Sequence, residues 1–149
     1  MIDKAIVNIK KLKSESKLPT YGSASAAGAD LYACLDAEIT IEPHSTYMIP
    51  TGLSMEIPEG YAGLIYARSG LASKKGLAPA NKVGVVDSDY RGEVMVALHN
   101  HSEVAATVAP GERIAQLVIT PYIMGIFTET DELNSTERGE GGFGSTGSK

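Results

Sequence analysis

Apolar side chains in this chain recur at every second residue in short runs, and Pro/Gly turn clusters break each run before a helical period can develop. Leu53, Met55 and Ile57 alternate with Ser54 and Glu56, and the run stops at Ile57-Pro58-Glu59-Gly60. A period of two places alternate residues on opposite faces of a pleated strand, so such a run buries one face only. By this pattern residues 4–12, 30–35, 39–41, 47–50, 53–57, 61–67, 83–86, 94–99, 104–108 and 113–120 read as strands. Val94-Met95-Val96-Ala97-Leu98 is apolar at every position and reads as a strand covered on both sides. About ten short strands separated by turn signals such as Ala109-Pro110-Gly111-Glu112 predict a β-sandwich, jelly roll or barrel.

The 149 residues fit a single domain, long enough to fold around its own core. One helix is expected, capped by Ser69, running through Leu71 to Lys75 and stopped by Gly76. Residues 129–149 are first acidic and then glycine-rich, and composition alone assigns them to a mobile, solvated C-terminal arm. The only cysteine is Cys34, which excludes a disulfide framework and favours a reducing, cytoplasmic setting. No apolar run approaches the roughly 20 residues of a membrane span, and no secretory signal is visible at the start. The net charge of −5 argues against a broad nucleic-acid face but leaves room for a small phosphorylated ligand. Lys10, Lys11, Lys13 and Lys17 read as the solvated edge of the first strand, where lysine discourages edge-to-edge pairing.

Three segments carry candidate chemistry. Arg68-Ser69-Gly70 lies where a strand meets a helix start, and a guanidinium beside free backbone N–H groups suits an anion. The alternative is a capped helix with a surface arginine. Residues 81–93 read as a hairpin with a polar centre; Asp87 follows a buried strand, where partial burial suits a general base, and Tyr90 sets a flat ring nearby. Asn, Asp and Ser there are equally explained as turn formers. The ending, Arg138 to Gly147, sets Phe143 among glycines whose N–H groups can cradle phosphate oxygens. Asp30, at a strand start, and Gln116, along a strand, are weak signals singly: a capping carboxylate and a core amide explain them. His99 and His101 lack a third metal ligand and read as ordinary polar residues.

These pieces, in this order, resemble the five motifs of the trimeric deoxyuridine triphosphatases (dUTPases). They are Ala27-Gly28-Ala29-Asp30-Leu31, Arg68-Ser69-Gly70-Leu71-Ala72, the stretch from Gly84 to Glu93, Gly111-Glu112-Arg113-Ile114-Ala115-Gln116-Leu117, and Arg138 to Gly147. The resemblance implies a jelly-roll-like homotrimer of the β-clip type with active sites shared between subunits. It implies Mg²⁺-dependent hydrolysis of dUTP to dUMP and pyrophosphate, which limits uracil in DNA and supplies dUMP for dTMP synthesis. Asp87 would activate the water that attacks the α-phosphorus. Backbone from Gly84 through Val86 to Asp87, with Asn81, would read uracil, and Tyr90 would exclude a 2′-hydroxyl. Arg68, Ser69 and Gly70 would hold phosphates. Asp30 and Gln116 would touch phosphates or the waters of a Mg²⁺ held mainly by the substrate. Phe143 would stack on uracil while Arg138, Gly144, Ser145, Thr146 and Gly147 close on the γ-phosphate. The related dCTP deaminases place a catalytic Glu on the strand after the hairpin; the position here is Ala97, which cannot shuttle a proton.

Overall fold

The structure is a computed structural model that describes residues 1–144. Alternation becomes an antiparallel two-sheet body with one short helix. One sheet has the order β1 (Asn8–Lys11), β5 (Thr46–Glu56), β9 (Glu93–Asn100), β7 (Leu77–Pro79). The other has the order β2 (Thr20–Tyr21), β3 (Ala29–Tyr32), β11 (Arg113–Pro121), β6 (Tyr61–Tyr66), β8 (Gly84–Val86). A two-stranded ribbon of β4 (Ile39–Ile41) and β10 (Ala106–Val108) completes the strands. The jelly-roll-like, all-β expectation is met.

The inward residues of the two sheets meet in one core that includes Leu31, Ile49, Leu53, Val94, Leu98 and Ile114, all buried. On β9 burial alternates strictly, with Val94, Val96 and Leu98 inward, while Met95 and Ala97 are only half-buried. The strand expected to be covered on both faces is therefore covered fully on one within a single chain. Lys10 and Lys11 lie on β1, an edge strand, as the lysine cluster suggested, but Lys13 and Lys17 fall beyond it, facing Asp36 and the Tyr32 ring.

Two expectations fail for a physical reason. Residues 47–50 and 53–57 are not separate strands but parts of β5, whose pairing with β9 shifts between Pro50 and Ser54. Gly52 supplies that irregularity at φ 67°, a conformation glycine adopts without a Cβ penalty. The Thr51 hydroxyl donates to the Val94 carbonyl at 2.7 Å, and the Gly52 N–H donates to Glu93 Oε1 at 2.8 Å. The chain thus bends without leaving the sheet. Nor do residues 81–93 form a hairpin: β8 pairs with β6, while β9 pairs with β5 and β7. The segment is a crossing from one sheet to the other.

The helix, α1 (Ser69–Lys75), forms where expected but is capped differently. Arg68 is its N-cap residue, in an extended conformation, and no side chain caps the helix. Ser69 is already helical, its carbonyl accepting from the Ser73 hydroxyl at 2.8 Å. Gly76 closes the helix at φ 67°, as read from the sequence.

Candidate active site

Strand β6 places the two principal groups. Its pairing with β8 sets Gly63 opposite Val86 and Ile65 opposite Gly84, and Asp87 follows directly after Val86, toward the start of β6. Arg68 lies six residues beyond Ala62 along nearly extended chain, roughly 20 Å at the usual rise per residue. One chain therefore sets its candidate base beyond β8, near the start of β6, and its candidate phosphate grip two residues past the end of β6.

At the Arg68 end the groups converge. The Arg68 Nε donates to Asp30 Oδ1 at 2.7 Å, and the other carboxylate oxygen of Asp30 lies 3.5 Å from Arg113 Nη1. The carboxylate is only 14% exposed, the Arg68 side chain 26%. Neither terminal η nitrogen of Arg68 has a partner among the described residues, so both remain available to an anion. Gln116 pairs with Asp30 across β3 and β11, and its Nε2 donates to the Ala67 carbonyl at 2.8 Å. A Cβ at Gly28 would collide with the Gln116 amide, so a side chain there would displace Gln116 from this position. Asp30, Arg68 and Gln116, read separately from the sequence, are thus one cluster. Ser69 and Gly70 open the helix beside it, exposed, and a Cβ at Gly70 would meet nothing within 4 Å.

At the other end, β8 is the sheet's outermost strand, with no strand beyond it among the described residues. An edge strand presents unpaired N–H and C=O groups, which suit recognition of a base edge. Asn81 hangs over this strand, its Nδ2 3.3 Å from where a Cβ of Gly84 would stand. Val86 is buried, but Asp87 is exposed, so the partial burial expected of a general base is not supplied within one chain. The turn after Asp87 is well braced. Arg91 Nη1 donates to the carbonyls of Ser88 and Tyr90 at 2.7 and 3.1 Å, and the Ser54 hydroxyl donates to the Arg91 carbonyl at 2.6 Å. The Tyr90 hydroxyl donates to the Glu93 carbonyl at 2.8 Å, and its ring lies across Gly92, where any Cβ would strike it. A cleft of about 670 Å³ runs from Asp87, Asp89 and Arg91 to Pro58, Tyr122 and Met124.

The described part of the arm joins neither cluster. Tyr122 is still tied to the body by its N–H to the Gly60 carbonyl, at 3.1 Å, but residues 122–141 are all exposed. Arg138 turns back on the Gly141 carbonyl at 2.6 Å, and Phe143 is fully exposed. Gly144 is the last described residue; Ser145, Thr146 and Gly147 lie outside the described residues. Sequence reasoning gave no role to Arg113 or Arg91, because nothing local marks which carbonyl or carboxylate a surface arginine will find.

No group of three or more His, Cys, Asp or Glu residues that could cage a metal occurs among the described residues, and none of the helices there is long and apolar enough to cross a membrane. Fold and clusters define an antiparallel β-protein with an arginine-led anion site at one end of a strand and a carboxylate on an open sheet edge at the other. The family model for dUTPase matches residues 14–147. A deoxyuridine 5′-triphosphate nucleotidohydrolase of Desulfitobacterium hafniense (strain DSM 10664 / DCB-2) is 53% identical over 143 residues, 95% of this chain and 94% of that one. One from Syntrophotalea carbinolica is 45% identical over 141 residues, 95% of this chain and 96% of its own length. Among solved structures, a Staphylococcus bacteriophage 80alpha dUTPase G164S mutant with dUpNHpp superposes with a TM-score of 0.87 at 28% identity, covering 97% of this chain and 100% of that one. The chain belongs to the dUTPase family.

Proposed function

We propose that this chain hydrolyses dUTP to dUMP and pyrophosphate, and that the working enzyme is a homotrimer whose active sites combine residues of different subunits. The observation that carries the reading is the anchored Arg68. A guanidinium fixed through its Nε, and still part-exposed, suits a phosphate chain. It occurs in a chain half identical to enzymes named for hydrolysing this nucleotide. The placement of Asp87 near the start of β6 and of Arg68 beyond its far end supports a site shared between subunits.

In this reading Asp87 of one subunit orients a water and accepts its proton as the oxygen attacks the α-phosphorus. Arg68, Ser69 and Gly70 of another receive the phosphates and stabilise charge on the departing pyrophosphate. The open edge from Gly84 to Val86, with Asn81, reads uracil, and Tyr90 packs against the deoxyribose. Phe143 then covers the base, while Arg138 and the residues from Gly144 to Thr146 close on the γ-phosphate. Mg²⁺ neutralises phosphate charge when bound. It prefers phosphate oxygens and water, so the lack of a carboxylate cage among the described residues fits it, and Asp30 and Gln116 would reach it only through its waters. Such an enzyme limits uracil in DNA and supplies dUMP for dTMP synthesis, in the cytoplasm.

The test is pyrophosphate release with Mg²⁺, comparing dUTP with dCTP, dTTP and UTP. Cleavage of dUTP alone supports the reading. Ammonia release from dCTP would replace it with deamination, against the grain of Ala97, which stands mid-β9 with its carbonyl accepting from Ala80 N–H.

A further inference from the structure

The pairing of β11 with β3 contains a register shift that decides where one arginine points. Gln116 pairs with Asp30 and Ala115 with Leu31, but the next paired residue is Arg113, opposite Tyr32, with Ile114 left over. Consecutive Ile114 and Ala115 are both fully buried, the mark of a bulge that turns two neighbours toward the core. In an unbroken register Arg113 would stand opposite Ala33, on the core-facing side of β3 with Ala29 and Leu31. The bulge moves it to the face that carries Asp30 and Tyr32. There its Nη1 lies 3.5 Å from Asp30 Oδ2 while Arg68 takes Oδ1.

We propose that Arg113 is a positioning residue for the phosphate grip: with Asp30 it locks the Arg68 guanidinium, and it leaves the cluster one unit positive. The charge follows from two guanidiniums on one carboxylate. Without Arg113, Arg68 and Asp30 neutralise each other, and a neutral pair attracts a triphosphate weakly. Without Asp30, the two cations repel and Arg68 loses the bond that aims it. Asp30 thereby serves the guanidiniums first, and the waters of a metal ion at most second.

This inference rests on the proposed hydrolysis of dUTP for its kinetic arm, so a second arm reads the anion site without turnover. Arg113→Ala should raise KM for dUTP about tenfold with kcat changed less than about threefold, because the lost contact is electrostatic grip rather than chemistry. Added salt should narrow the gap between variant and parent, since screening weakens the grip that remains in the parent. Arg113→Lys, which keeps the charge, should recover much of the loss. Asp30→Asn should raise KM by a similar factor while leaving the Mg²⁺ concentration for half-maximal rate unchanged. Calorimetric titration with inorganic tripolyphosphate should show the same order of affinities, parent over Arg113→Lys over Arg113→Ala. Equal KM and equal tripolyphosphate affinity in Arg113→Ala would overturn the proposal. So would an Asp30→Asn variant whose only defect is a higher Mg²⁺ requirement. If the parent leaves dUTP intact, the proposed function falls, and the tripolyphosphate titration still decides the role of Arg113.

Discussion

Asp87 and Tyr90 sit three residues apart yet owe their positions to different forces. Asp87 is carried by β8, whose Val86 is anchored in the core; Tyr90 is held by its hydroxyl bond to Glu93 and by the room that Gly92 leaves for its ring. Their substitutions should therefore separate chemistry from fit. Asp87→Asn keeps the side chain's size but removes the proton acceptor. It should still bind dUpNHpp with near-parental affinity while hydrolysis falls roughly a thousandfold, measured by calorimetry and pyrophosphate release. Unchanged turnover would remove Asp87 as the base. Gly92→Ala should instead push the Tyr90 ring aside. The expected signature is a smaller preference for dUTP over UTP with Asp87 chemistry retained, and an unaltered ratio of the two kcat/KM values would contradict it.

Among elements, the strands were legible because period-two alternation is a local signal, and β3, β6, β8 and β9 fall where the pattern put them. Which strands would pair was not legible. Two apolar runs about a turn-forming centre look like a hairpin at residues 81–93, yet β8 and β9 join different sheets because each finds a better-buried partner far away in sequence. Residues 47–50 and 53–57 read as two strands because the sequence does not distinguish the bulge at Gly52 from a turn. The aim of Arg113 was hidden for the same reason: register belongs to a pair of strands. The helix boundary at Gly76 was legible because a left-handed stop calls for glycine. Gly76→Ala would face both φ 67° and the Ser102 Cβ at 2.7 Å. It should lower unfolding free energy by about 1–2 kcal/mol in denaturant titrations, with the catalytic groups untouched. The arm behaves oppositely. Removing the residues after Arg138 should leave the melting temperature within a degree or two, since residues 122–141 are exposed, but abolish most activity. A fully active truncation would show Phe143 to be dispensable.

On the scale of the whole molecule, the proposed site, with Asp87 and Arg68 from different subunits, predicts assembly. Sedimentation equilibrium should give a trimer of 15.7 kDa chains, and a monomer at working concentration would contradict the shared site. A sharper measurement mixes two inactive variants, Asp87→Asn and Arg68→Ala, after unfolding and refolding them together. Hybrid assemblies can then pair an intact Asp87 from one parent chain with an intact Arg68 from the other, so activity should return. If each chain held a whole site, the mixture would stay dead.

The placement of Asp87 and Arg68 toward opposite ends of β6, with the shared site proposed from it, has a consequence for abundance. A polypeptide that folds completely can remain chemically silent until it meets its copies, so output per molecule should decline on dilution even at saturating nucleotide. Scarcity would switch such an enzyme off without any inhibitor.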